Sequence, residues 1–115
     1  MTRSLNGVRM NVTQTAANGV VNAQTIFEFS HVGDIVEARY SGGGIAQGRL
    51  IGRFIGEQLE FRYVQLTVDG VLDGGRSICD VDETADGRLR LCEHFEWGSR
   101  EGTGTNVFEE LPPEA

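Results

Sequence analysis

The chain has 115 residues, 39% of them apolar and a formal charge of -7. That length supports one domain with its own hydrophobic core and no metal or disulfide staples. All ten basic residues are arginine, so lysine chemistry (a Schiff base, a P-loop) is excluded, and the acidic balance disfavours a nucleic-acid partner. The polar N-terminal segment, broken by Gly7, lacks the apolar stretch of a signal peptide, and no later run approaches 18 apolar residues. A cytoplasmic protein outside the membrane is the expectation.

Sixteen glycines punctuate the chain, and the longest stretch free of glycine and proline is 13 residues. An interior glycine costs a helix about 1 kcal/mol relative to alanine, which leaves little room for helices. In chain order the predicted strands are 5–13, 25–32, 34–41, 45–55, 58–68, 71–81, 88–97 and 105–111. In the fifth, Leu59, Phe61 and Tyr63 alternate with Glu60 and Arg62. In the seventh, Leu89, Leu91, Phe95 and Trp97 share a face opposite Arg88, Arg90, His94 and Glu96. Both patterns repeat every two residues, the signature of a half-buried strand. Asn18-Gly19, Gly33-Asp34, Gly42-Gly43-Gly44, Gly56, Asp69-Gly70 and Asp86-Gly87 supply the turns. Most connections are short, so neighbouring strands are antiparallel. An up-and-down meander buries one face by curling into a closed, eight-stranded, all-β barrel, whose interior is filled by side chains or holds one small ligand. Residues 1–110 form the barrel in this reading, and 111–115, with two prolines, form a flexible tail.

The runs Gly19-Val20-Val21-Asn22-Ala23-Gln24-Thr25-Ile26-Phe27, Tyr40-Ser41-Gly42-Gly43-Gly44-Ile45, Phe61-Arg62-Tyr63 and Asp86-Gly87-Arg88-Leu89-Arg90-Leu91 resemble a family of short bacterial avidin-like barrel proteins. The resemblance spans about residues 8–110 and implies an avidin- or streptavidin-like barrel of the calycin type. It does not imply biotin binding. Members of that family often carry the label N-acetylglutamate synthase, which makes an acetyltransferase the alternative reading of function. Arg39-Tyr40-Ser41-Gly42-Gly43-Gly44 does match the acetyl-CoA turn string of acetyltransferases. That turn needs a following helix whose N-terminus takes the pyrophosphate, whereas Ile45-Ala46-Gln47-Gly48-Arg49-Leu50-Ile51-Gly52 has a strand rhythm. A hairpin turn is predicted there instead.

No nucleophile elbow occurs, and no catalytic residue is assigned. His31, Cys79, Cys92 and His94 lack metal-ligand spacing, so no metal and no cofactor is expected. If Asp86-Gly87 forms a type I turn with a glycine bulge, Cys79 lies opposite Glu93 and points away from Cys92; a symmetric four-residue loop would oppose the two cysteines. Gly87 favours the bulge, and two free thiols follow.

Tyr40, Phe61, Tyr63, Phe95 and Trp97 share a face with Ala38, Gly48, Gly52 and Ser77. This is either ordinary core or a pocket at one barrel mouth, with the glycines leaving room. Glu93 interrupts the stripe Leu89, Leu91, Phe95, Trp97, and a buried carboxylate must be partnered, protonated or wetted. Tyr63, Tyr40 or an inward arginine are its candidate partners. The candidate ligand-binding residues are Tyr40, Tyr63, Gln65, Ser77, Glu93 and Trp97, for a small-molecule ligand in the mouth. A protein partner, or a homodimer formed through outward Ile26, Ile51, Ile55 and Ile78, is the remaining reading.

Overall fold

The alternating sequence builds eight antiparallel strands that close on themselves. A computed structural model describes residues 4–112. The strands are β1 (Arg9–Gln14), β2 (Ile26–Val32), β3 (Ile35–Gly42), β4 (Ile45–Ile55), β5 (Gln58–Thr67), β6 (Leu72–Glu83), β7 (Leu89–Trp97) and β8 (Thr103–Glu110). Each pairs with its sequence neighbours, and β8 returns to β1 with Val12 opposite Phe108, so the barrel has no free edge. The described residues contain no α-helix.

Three strand ends depart from the sequence expectation by two residues or more, and most of the others by one. The first strand begins at Arg9 rather than residue 5, because Leu5–Val8 closes a turn (Val8 N–H to Leu5 C=O, 3.0 Å) around Gly7 at φ 78°. That turn docks on β2 through Gly7 N–H to Phe29 C=O and Phe29 N–H to Val8 C=O, and it buries Leu5 completely. β6 runs on to Glu83, drawn out by cross-strand pairing of Asp82 with Arg90, whose side chains meet at 2.8 Å. β8 starts at Thr103, where Thr103 and Gly104 pair with Glu96 and Phe95. Of the expected tail, Leu111 donates its N–H to Arg9 C=O at 2.8 Å, and residues 113–115 lie outside the described residues.

The Asp86-Gly87 turn takes the bulged form. Gly87 sits at φ 85° and donates its N–H to Thr84 C=O, while Thr84 N–H reaches Arg88 C=O. A left-handed residue is tolerated there because glycine has no Cβ. Register follows from the turn: Cys79 opposes Glu93, Cys92 opposes Asp80, and both cysteines are free. The Gly42-Gly43-Gly44 segment is the β3–β4 hairpin connection, with Gly42 and Gly43 at φ 109° and 61°. It leads into a strand and offers no helix N-terminus.

The two ends of the lumen are filled differently. The lower end carries the tight turns at 33–34, 56–57 and 84–88, and is plugged by Leu5, Met10, Phe29, Val36, Leu59, Cys79, Leu89 and Leu91. Each such large apolar side chain contributes about 1.5–3 kcal/mol on burial. The upper end carries the long 15–25 connection and is aromatic: Phe27 stacks on Tyr40 at 4.3 Å and on Phe108 at 4.6 Å. Outside, Ile51, Ile55 and Ile78 are exposed as expected, while Ile26 is half-buried.

Candidate functional site

All six candidate residues lie in the middle and upper part of the lumen. Five of them (Tyr40, Tyr63, Gln65, Glu93 and Trp97) line a small cavity there, and Ser77 stands behind Glu93. The cavity has a volume of about 20 Å³, room for about one or two waters. The sequence reading of inward glycines as spare volume is corrected here. A Cβ on Gly48 would overlap the ring of Tyr40, and one on Gly104 would overlap Phe95. These glycines are seats for aromatic rings, and the lumen is largely filled.

Glu93 is 5% exposed and accepts two hydrogen bonds, from Ser77 Oγ at 2.6 Å and Asn106 Nδ2 at 2.9 Å. The expected partners Tyr40, Tyr63 or an inward arginine do not fill this role. Tyr40 donates to Gln65 Oε1 at 2.8 Å, and no arginine enters the lumen to pair with Glu93 among the described residues. The reason is geometric: inward residues of the adjacent strands are the nearest neighbours. Asn106 lies directly opposite Glu93, and Ser77 is diagonal to it, beside Cys79. Burial raises the Glu93 pKa above its ordinary value, and the two donated bonds oppose that shift without cancelling it. Burial, reinforced by Glu93, likewise pushes the Tyr40 and Tyr63 phenols and the Cys79 thiol upward, so all three stay protonated at neutral pH.

Asn106, which sequence reasoning missed, joins the site to the loop above it. Its Oδ1 accepts Ala16 N–H at 2.8 Å while its Nδ2 serves Glu93. The 15–25 connection is thereby held over the mouth, where Gly19, Val20 and Val21 complete the cavity wall. Asn18 Nδ2 adds a bond to Thr103 C=O at 3.0 Å. The inward parity that Asn106 shares with Phe108 was the available signal; the loop residues had none.

Trp97 and Tyr63 meet edge to face at 5.9 Å, and the Arg100 guanidinium covers the outer face of Trp97 at 4.1 Å. Arg100 is held by buried Asp73 (3.4 Å), which also accepts from Ser99 Oγ at 2.9 Å. Two residues of this wall each carry a polar atom, the Tyr63 hydroxyl and Trp97 Nε1, that is buried without a protein hydrogen-bond partner.

The four residues weighed as metal ligands are dispersed. Cys79 faces inward and Cys92 outward; His94 Nε2 rests 3.3 Å from Asp80; His31 accepts the Leu5 N–H near the lower end. Among the described residues, no group of three or more His, Cys, Asp or Glu side chains could hold a metal ion.

An eight-stranded antiparallel meander, filled at one end and polar-tipped at the other, defines the class. A family model described as avidin-like protein matches residues 3–111, and the chain belongs to that family. No curated protein and no solved structure matches the chain. No helix among the described residues is long and apolar enough to cross a membrane.

Proposed function

We propose that the upper mouth of the barrel binds a small uncharged molecule with a compact apolar body, a hydrogen-bond acceptor and an N–H donor. The observation that carries this reading is that Tyr63 and Trp97, whose O–H and N–H are both buried without a protein partner, line one cavity together. A buried donor left unpaired costs about 1–3 kcal/mol, so native chains satisfy such groups with water or a ligand. Trp97 N–H can only donate, so the ligand must bring an acceptor to it. On the same wall Glu93 has both oxygens engaged by one donor each and retains lone pairs for an N–H of the ligand. Phe27, Phe61 and Phe95 supply the apolar surround. A ligand larger than a water enters by displacing the 15–25 connection, whose anchor at this point is the Asn106–Ala16 hydrogen bond.

Four probes of one shape and different handles test the reading: benzamide, benzamidinium, benzoate and toluene, each titrated by calorimetry. Benzamide should bind saturably, toluene at least tenfold more weakly, and benzoate more weakly still because Glu93 opposes an anion. Tyr63→Phe should weaken benzamide and leave toluene unchanged. Equal binding of toluene and benzamide, or none by any probe, would overturn this reading.

A further inference from the structure

The outer face of β3–β6 carries a second feature that the lumen does not explain. Five of the ten arginines lie on it: Arg39 on β3, Arg49 and Arg53 on β4, Arg62 on β5 and Arg76 on β6, all exposed. Their placement is locally unfavourable. Arg39 stands directly opposite Arg49, and Arg62 directly opposite Arg76. Like charges in directly opposed cross-strand positions destabilise a sheet.

Nearby carboxylates relieve only part of this. Glu60 pairs with Arg53 at 3.6 Å and Glu96 with Arg76 at 2.7 Å. Arg39, Arg49 and Arg62 have no carboxylate within ion-pair distance among the described residues; Arg49 turns one N–H to Gly48 C=O at 3.0 Å. The three border a shallow groove of about 380 Å³ floored by Ile51 and Val64, with Glu37 as the one acid on its rim. Ile51 (58% exposed) and Val64 (50%) continue into exposed Leu66 and Leu72. A cationic, apolar strip therefore crosses a chain whose net charge is -7.

We propose that this face is a docking surface for an acidic segment of a partner protein. Its Asp or Glu side chains pair with Arg39, Arg49 and Arg62, and its apolar side chains cover Ile51 and Val64. Charge complementarity argues for this occupant. A second copy related by a two-fold axis through the groove would set arginine against arginine, and a nucleic acid would meet the overall acidic field of the barrel. Guanidinium forks match carboxylates bidentately, which suits arginine to such a surface.

The test is fluorescence anisotropy with a labelled ten-residue peptide of alternating glutamate and leucine, beside a lysine–leucine peptide and a 20-nucleotide single-stranded DNA. The glutamate peptide should bind saturably, weaken at least tenfold from 50 to 300 mM salt, and weaken at least tenfold with Arg49→Glu/Arg62→Glu. Val64→Ser should weaken it severalfold. Should the double reversal not fold, Arg49→Gln/Arg62→Gln serves in its place, and it should unfold no earlier than the parent because it relieves both arginine pairs. Undiminished binding in these variants, equal or tighter binding of the DNA or the lysine peptide, or concentration-dependent self-association that competes with the glutamate peptide would overturn the proposal.

Discussion

Replacing Glu93 with glutamine should flatten one component of the pH dependence of stability. Glutamine keeps the shape, can accept from Asn106 Nδ2 with its Oε1, and can donate to Ser77 Oγ with its Nε2. The wild-type carboxyl titrates at 4.5 when unperturbed and higher in the folded barrel, because burial outweighs the Ser77 and Asn106 bonds. Between those two values the folded chain holds a proton that the unfolded chain has released. The stabilisation from this group is therefore complete below pH 4.5 and is lost as pH rises through the folded value. Its steepest slope is about 1.4 kcal/mol per pH unit, set by one proton. Asp80, Asp82 and Asp86 work in the opposite sense. Hydrogen bonds from Gln58 and His94, from Arg90, and from Thr84 and Arg88 respectively hold them below the ordinary value, so their contributions fade as pH falls. They are common to both proteins and cancel in the difference. Urea unfolding at intervals from pH 4 to 8 should show wild-type stability, minus that of Glu93→Gln, falling as pH rises above 4.5. A difference that is flat or rises across this range would refute the assignment of Glu93 as a carboxyl destabilised by burial.

Gly48→Ala should cost about 1–3 kcal/mol in urea unfolding, as overpacking usually does, because Tyr40 is fixed between Gln65 and Phe27 and cannot swing clear. Asn106→Ala removes the acceptor of the Ala16 N–H and a donor to Glu93, a loss of about 2 kcal/mol or more. Hydrogen exchange at the Ala16 amide should accelerate, and unchanged protection would show that another contact holds the loop. With a thiol reagent and no reductant, native protein should expose Cys92 and shield Cys79, whose thiol is buried and raised in pKa. Unfolded protein should yield two thiols, and a count of none would indicate a disulfide.

What could be read from the sequence was what local chemistry decides. Period-2 alternation announced the strands, and Gly87, as the left-handed residue of a bulged turn, set the register that opposes Cys79 to Glu93. Glu93 within an apolar stripe pointed to the lumen for the same reason: parity on a strand assigns a face. Of its hydrogen-bond partners, Ser77 follows from that β6 register, whereas Asn106 was not legible, since it depends on which residue of β8 falls opposite. The β8 register follows the irregular 98–102 loop, which lacks a turn signal as clear as Asp86-Gly87. The volumes of the lumen escaped for a different reason. Gly48 removes a side chain from the wall, but whether that space stays empty depends on where the Tyr40 ring turns, and the ring turns into it.

Trp97 is the one tryptophan of the chain, so its indole N–H gives a single, unambiguous cross-peak in a nitrogen–proton correlation spectrum. That proton belongs to one of the two orphaned donors on which the binding proposal rests. Titrating benzamide into labelled protein should move the peak downfield saturably, as a carbonyl oxygen takes up the N–H, and Tyr63→Phe should demand a higher concentration for the same shift. An indole peak that stays in place while benzamide reaches millimolar excess would contradict a ligand site at the barrel mouth.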